Sequence, residues 1–215
     1  MKKDIEAVFR KLGIVPVVKI ENEKDAVPLA EALTKGGLPC AEVTFRTGAA
    51  AASIRRMKEA FPEMTVGAGT VLTAAQVDEA LEAEAEFIVS PGLNPRTVTC
   101  CQEKGIPVFP GVATASEIEK ALELGLRVVK FFPAEANGGL KAIKALAAPY
   151  SMMEFMPTGG IGTDNVGEYL RFEKVIACGG TWMVKEKMIA EGQFDRIQQL
   201  TREARELAEE AAAGK

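Results

Sequence analysis

The sequence lacks histidine altogether, and it offers no pair of cysteines at the spacing that holds zinc. Histidine is the usual proton carrier near neutral pH, so any acid–base chemistry must depend on carboxylates, lysines, tyrosines or water. The four cysteines form no CxxC motif, and a zinc site would normally need that motif or histidines. We therefore expect reduced, mostly buried thiols and no metal ion.

Long apolar runs and clusters of basic residues are missing as well. No run approaches the roughly 20 residues of a membrane span, and the first residues are not followed by an apolar signal region. The net charge of −4 comes from mixed acidic and basic residues, which argues against nucleic-acid binding. We expect a soluble, cytoplasmic protein with no membrane or nucleic-acid partner, forming one domain over residues 1–215.

Strand-like and helix-like segments alternate along the chain after a short predicted helix at residues 3–12. The eight predicted strands cover residues 14–19, 40–45, 64–68, 87–90, 108–109, 128–132, 154–157 and 175–178. Thr73 with Gln76, and Thr114 with Glu117, each predict a capping box at the start of a helix.

Eight strand-then-helix units predict an α/β fold, namely a (β/α)8 TIM barrel with an extra N-terminal helix. An open doubly wound sheet is the alternative. No GxGxxG motif follows the first strand, which argues against a dinucleotide-binding version of that sheet. In a barrel, the active site lies at the carboxyl ends of the strands.

The sixth strand places a single amine, Lys130, among Val128, Val129, Phe131 and Phe132. Burying an ammonium group is costly, so it must be paired or give up its proton more readily than a lysine in water does. A neutral lysine is the nucleophile that Schiff-base chemistry on a carbonyl requires. The alternative is a lysine at a strand end that buries its stem and extends its amine into water.

Polar residues on the second strand share one face. Glu42, Thr44 and Arg46 alternate with Val43 and Phe45, and side chains two residues apart point the same way in a strand. If the apolar residues pack against helices, Glu42 points into the barrel, towards the side that Lys130 would also face. A structural ion pair without catalytic chemistry is the alternative.

Two pairs of glycines follow the seventh and eighth strands, Gly159 with Gly160 and Gly179 with Gly180. In (β/α)8 enzymes the loops at these two positions commonly bind phosphate through backbone N–H groups. Glycine allows the backbone to come close to the phosphate oxygens. We therefore predict a phosphate site here, with plain turns as the alternative.

Six motifs resemble those of the 2-keto-3-deoxy-6-phosphogluconate (KDPG) and 4-hydroxy-2-oxoglutarate aldolase family. They are EVTFRT at residues 42–47, GAGTV at 67–71, SPG at 90–92, KFFPAE at 130–135, PTGG at 157–160 and GGTW at 179–182. The resemblance extends from about residue 14 to residue 197, with the motifs in the same order as in the family.

The resemblance implies a class I aldolase, a lyase that uses neither a metal nor an organic cofactor and is typically a homotrimer. Its substrate would be a keto-acid phosphate, cleaved to pyruvate and glyceraldehyde 3-phosphate in the Entner–Doudoroff route. Many members also act on 4-hydroxy-2-oxoglutarate. Lys130 would form the Schiff base and Glu42 would act as the general acid–base.

The remaining roles that the resemblance implies concern substrate binding. Arg46 and Thr70 would hold the pyruvate carboxylate, and Thr158 would lie beside the carbonyl carbons. The phosphate would be bound by Gly159, Gly160, Gly179, Gly180 and Thr181.

Two positions depart from the family pattern. Thr181 stands where serine is common, so an added methyl group would lie near the phosphate. Glu84 stands where glycine is expected at a helix end, and a positive φ there would cost glutamate roughly 1 kcal/mol. A non-catalytic scaffold or phosphate-ligand binder built on the same barrel is the competing functional hypothesis.

Overall fold

Eight parallel strands follow one another in chain order, and each is hydrogen-bonded to its neighbour. The structure is a computed structural model that describes residues 3–214. The strands are β1 (Ile14–Val18), β2 (Cys40–Thr44), β3 (Thr65–Gly69), β4 (Ile88–Ser90), β5 (Val108–Val112), β6 (Val128–Phe131), β7 (Glu154–Pro157) and β8 (Cys178–Gly180).

The sheet curls into a ring. β8 pairs in parallel with β1, starting with Cys178 opposite Ile14. β7 is connected to the β8 segment by two parallel bridges, between Phe155 and Val175 and between Thr158 and Gly179. The ring confirms the predicted barrel and excludes the open doubly wound sheet.

Helices follow the strands and cover the outside of the barrel. They are α1 (Ile5–Leu12), α2 (Ala26–Lys35), α3 (Ala50–Ala60), α4 (Ala74–Glu82), α5 (Pro95–Glu103), α6 (Ala115–Glu123), α7 (Gly139–Ala147), α8 (Val166–Arg171), α9 (Glu186–Ala190) and α10 (Phe194–Ala213). Over residues 3–214, none of these helices is both long and apolar enough to cross a membrane. The extra N-terminal helix is confirmed as α1, which Asp4 caps and Gly13 ends with a φ of 72°.

Several predicted boundaries were wrong. β8 begins at Cys178 instead of 175, because pairing with β1 and not local β propensity selects the residues that form the strand. β5 continues to Val112, and α9 has no predicted counterpart. The capping box at Thr114 is confirmed, but the Gln76 side chain accepts from the backbone N–H of Leu72 instead of that of Thr73.

Aromatic side chains fill the amino-terminal end of the barrel. The ring of Phe9 from α1 lies 5.0 Å from that of Phe87 and 5.2 Å from that of Phe109. A Cβ atom on Gly67 would lie only 2.5 Å from the Phe87 ring, so the ring occupies the space inside β3. The interior of the barrel is therefore filled at this end, and it opens at the carboxyl ends of the strands.

The two sequence expectations about local chemistry are confirmed. All four cysteines are free thiols, and only Cys100 is partly exposed. Glu84, just after α4, has a φ of 65°. A glutamate therefore occupies a left-handed backbone conformation that glycine would adopt without strain.

Candidate active site

Lys130 lies inside the barrel. Its strand, β6, places it opposite Gly111 of β5 and Met156 of β7. The residue is 5% exposed, so the alternative of an amine extended into bulk water is wrong. The Nζ atom also lies 4.9 Å from the centre of the Phe132 ring, a distance at which a cation is attracted to the ring face.

A buried carboxylate faces this amine. Oε1 of Glu42 lies 3.4 Å from Nζ of Lys130, and Glu42 is 1% exposed. Within residues 3–214, its other oxygen, Oε2, has no hydrogen-bond partner. An unpaired buried oxygen is costly, and it is free to interact with a bound molecule or water.

Gly69 at the end of β3 makes room for the carboxylate. A Cβ atom built at this position would lie 2.3 Å from Oε1 of Glu42. Any other residue would therefore push the Glu42 side chain away from its present place. The GAGT segment contributes to the site through the absence of a side chain as well as through Thr70.

A cavity of about 300 Å³ opens at the carboxyl ends of the strands around these two residues. Nine of the ten predicted site residues line it: Glu42, Arg46, Thr70, Lys130, Thr158, Gly159, Gly160, Gly179 and Thr181. Gly180 is outside this lining, and a Cβ atom on it would lie 2.1 Å from the Trp182 ring. Its lack of a side chain therefore serves the packing of Trp182.

The glycine pairs give the cavity its shape on the β7 and β8 side. Gly159 and Gly160 have φ values of 103° and 78°, which side chains rarely allow. A Cβ atom on Gly179 would lie 2.2 Å from Oγ1 of Thr158. That hydroxyl is buried, and no residue in the described part of the chain hydrogen-bonds to it.

A larger cavity, of about 540 Å³, lies among the segments that lead into β3, β4 and β5. Lys3, Glu86 and Lys104 are among its lining residues. These charges are already paired: Lys3 with Glu86 at 3.3 Å, and Lys104 with Asp78 at 2.8 Å. It contains none of the predicted site residues, so we place the functional site at the smaller cavity.

The chain matches the KDPG and KHG aldolase family over residues 5–200. It belongs to this family. This chain is 50% identical to the 2-dehydro-3-deoxy-phosphogluconate aldolase of Haemophilus influenzae over 195 residues, which cover 91% of this chain and 92% of that protein.

Among solved structures, two KDPG aldolases resemble this chain over almost its whole length. One is the KDPG aldolase of Legionella pneumophila with pyruvate captured at low pH as a covalent carbinolamine intermediate; it has a TM-score of 0.91, 38% identity and coverage of 95% and 99% of the two chains. The other is the KDPG aldolase of Zymomonas mobilis with 3-phosphoglycerate, with a TM-score of 0.87, 42% identity and coverage of 95% and 96%.

The sequence did not predict several residues that line the cavity around Lys130 and Glu42, including Val17, Pro91 and Ile161. None of them carries a chemical group that marks it as functional. Thr44 was predicted on the same face as Glu42, two residues away on β2, and its hydroxyl donates to the backbone oxygen of Val18 at 3.0 Å. Arg46 was predicted on the same strand, but β2 ends at Thr44, and Arg46 lines the cavity from the turn that follows.

The backbone at Thr70 was also unexpected. Its φ is 57°, a left-handed conformation that costs a β-branched residue of order 1–3 kcal/mol. A positive φ is normally predicted from a glycine, so a threonine at this position gave no indication of it. Thr70 follows β3 directly and lines the cavity in this strained conformation.

Proposed function

We propose that this chain is a class I aldolase that cleaves KDPG to pyruvate and glyceraldehyde 3-phosphate through an imine on Lys130. The same site would cleave 4-hydroxy-2-oxoglutarate to pyruvate and glyoxylate. The observation that carries the proposal is the buried amine of Lys130, 3.4 Å from the Glu42 carboxylate in an open cavity. The covalent carbinolamine of the Legionella relative supports it.

The reaction begins when the neutral amine of Lys130 attacks the C2 ketone. The carbinolamine loses water and becomes a protonated imine, which accepts the electron pair released in the next step. Glu42 takes the proton of the C4 hydroxyl, directly or through a water, and the C3–C4 bond breaks to release the aldehyde. The enamine left on Lys130 is protonated at C3, and hydrolysis of the imine returns pyruvate and the free lysine.

The lining residues suit the two ends of the substrate. We assign the pyruvate carboxylate to Arg46 and Thr70, and the carbons near the imine to Thr158, because these three line the cavity around Lys130. The phosphate is assigned to the Gly159–Gly160 turn after β7, to Gly179 in β8 and to Thr181, with Gly180 acting through the packing of Trp182. Thr181 carries a methyl group that serine lacks, and we expect it to narrow this end of the cavity.

The assembly belongs to the same proposal. We expect a cytoplasmic homotrimer that needs neither a metal nor an organic cofactor, as the family resemblance implies. Light scattering after gel filtration would give three times the mass of one chain. Activity that survives extensive chelation would support the metal-free mechanism, and activity restored only by a divalent cation would contradict it.

The decisive experiment is reductive trapping. Borohydride added with pyruvate should leave a pyruvyl mass on the peptide that contains Lys130, and Lys130→Met should abolish both trapping and turnover. Lys141→Met, an exposed lysine on α7, is the matched control and should change neither. Failure of pyruvate to trap, together with a melting temperature still raised by phosphate compounds, would favour the non-catalytic binder instead.

A further inference from the structure

The segment that leaves β6 is joined to the glycine turn that leaves β7. The backbone N–H of Ala134 donates to the oxygen of Thr158 at 2.8 Å, and the N–H of Glu135 donates to the oxygen of Gly159 at 3.1 Å. The strand that carries Lys130 therefore continues into direct contact with the turn assigned to the phosphate. Any displacement of Glu135 would be transmitted to this turn.

Glu135 is itself held by a tyrosine. The hydroxyl of Tyr169, in α8, donates to Oε1 of Glu135, and Tyr169 is only 1% exposed. Burial, and then this hydrogen bond, raise the pKa of Tyr169, so the phenol keeps its proton and remains a donor. A Cβ atom on Gly139 would lie 2.9 Å from Oε1 of Glu135 and 3.1 Å from the Tyr169 hydroxyl oxygen, so the pair fits closely against a residue without a side chain.

The Glu135 side chain lies directly against Gly160. A Cβ atom at Gly160 would be 2.6 Å from Cγ and 2.7 Å from Cβ of Glu135. On the other side, Nδ2 of Asn165 donates to the backbone oxygen of Gly160 at 3.2 Å, and Oδ1 of Asn165 accepts from Gly162 at 2.9 Å. The turn is thus held from both sides.

We propose that Glu135 and Tyr169 form a positioning pair that fixes the Gly159–Gly160 turn for the anionic, phosphate end of the substrate. This inference rests on the function proposed above. Neither residue is among those that line the cavity, so the proposed role is exerted through the turn and not through a contact with the substrate. The pair acts on phosphate binding and leaves the pyruvate half to Lys130 and Glu42, which lie inside the barrel on β6 and β2.

KDPG carries a phosphate and 4-hydroxy-2-oxoglutarate does not. Comparing the two substrates therefore separates an effect on phosphate binding from an effect on the pyruvate half. Tyr169→Phe removes the hydroxyl and keeps the ring. It should raise KM for KDPG by about tenfold, the loss expected for one hydrogen bond to a charged group, with kcat changed by less than about twofold. Both constants for 4-hydroxy-2-oxoglutarate should stay within about twofold of the wild type.

The chain provides a matched control, since it has two tyrosines and both donate to a carboxylate. The hydroxyl of Tyr150 donates to Oε1 of Glu119 at 2.8 Å, at an exposed place outside the cavity lining. Tyr150→Phe removes the same chemical group and should leave all four constants unchanged. Glu135→Gln keeps an oxygen that accepts from Tyr169 and should raise KM for KDPG less than Glu135→Ala does.

The inference would be overturned if Tyr169→Phe has the same constants as Tyr150→Phe. It would also be overturned if Tyr169→Phe raises KM equally for KDPG and for 4-hydroxy-2-oxoglutarate. If Tyr169→Phe does not fold, Glu135→Ala decides: an unchanged KM for KDPG would overturn the inference, and a KM raised for KDPG alone would support it. Pyruvate trapping on the wild type separates the two failures. If it traps pyruvate and these variants have no effect, the positioning role fails while the aldolase function stands.

Discussion

Nζ of Lys130 and Oε1 of Glu42 lie 3.4 Å apart although 88 positions separate the two residues in the chain. β2 and β6 meet only across the interior of the closed barrel, so this distance depends on closure. The pair puts a nucleophile and a proton carrier within reach of one bound ketone.

Replacing the carboxylate should separate imine formation from bond cleavage. Glu42→Gln keeps the size of the side chain and removes its basicity, so kcat for KDPG cleavage should fall by about 10²–10⁴-fold. Borohydride trapping of pyruvate on Lys130 should persist, because the amine remains in place. A kcat within about threefold of the wild type would show that Glu42 is not the proton carrier.

Gly69→Ala tests the space that β3 leaves for the carboxylate. The new methyl group would lie 2.3 Å from Oε1 of Glu42, so the carboxylate must move. We expect a loss of about 1–3 kcal/mol in the free energy of unfolding, measured with urea, together with a lower kcat. Gly48→Ala is the control, since nothing lies within 4 Å of its Cβ position, and it should retain the wild-type kcat.

Glu84→Gly should make the protein more stable. The φ of 65° strains a glutamate and suits glycine, so the free energy of unfolding should rise by about 0.5–1 kcal/mol. Glu79→Gly, at an exposed position inside α4, should lower it by about 1 kcal/mol. If both substitutions lower the free energy of unfolding by the same amount, the left-handed conformation of Glu84 does not strain the folded state.

Alkaline pH should weaken the fold through its buried thiols. Burial raises the pKa of Cys101 to about 12 and also raises that of Cys40. The folded state therefore keeps these protons where the unfolded chain loses them, and the free energy of unfolding falls as pH rises from about 9 towards 12.

The variant Cys101→Ala removes one of these thiols. Above pH 9 its free energy of unfolding should fall less steeply than that of the wild type, and the two slopes should differ by about 1.4 kcal/mol per pH unit. Urea unfolding at several pH values measures both slopes. Between pH 6 and 7 the two proteins should show parallel dependences, because the Cys101 thiol keeps its proton in both the folded and the unfolded state there. Identical slopes above pH 9 would contradict the assignment to Cys101.

Much of the site followed from local spacing. The two-residue period of β2 placed Glu42 and Thr44 on one face, and both line the cavity. Arg46 lies in the turn after β2 and lines the cavity from there. The order of strand-like and helix-like segments predicted the barrel. Of the two glycine pairs predicted after β7 and β8, Gly159 and Gly160 do follow β7 and have positive φ values, whereas Gly179 and Gly180 belong to β8 itself. These features depend on dihedral preferences and on neighbours in the chain, which a sequence displays directly.

Other features depend on contacts between distant segments. Closure of the ring set the register of β8 and excluded Gly180 from the cavity lining, and it brought the amine of Lys130 to the carboxylate of Glu42. The hydrogen bond from Tyr169 to Glu135 arises in the same way, because α8 packs beside the exit of β6. Local preferences leave such distances open, since each is fixed by the packing of the whole barrel.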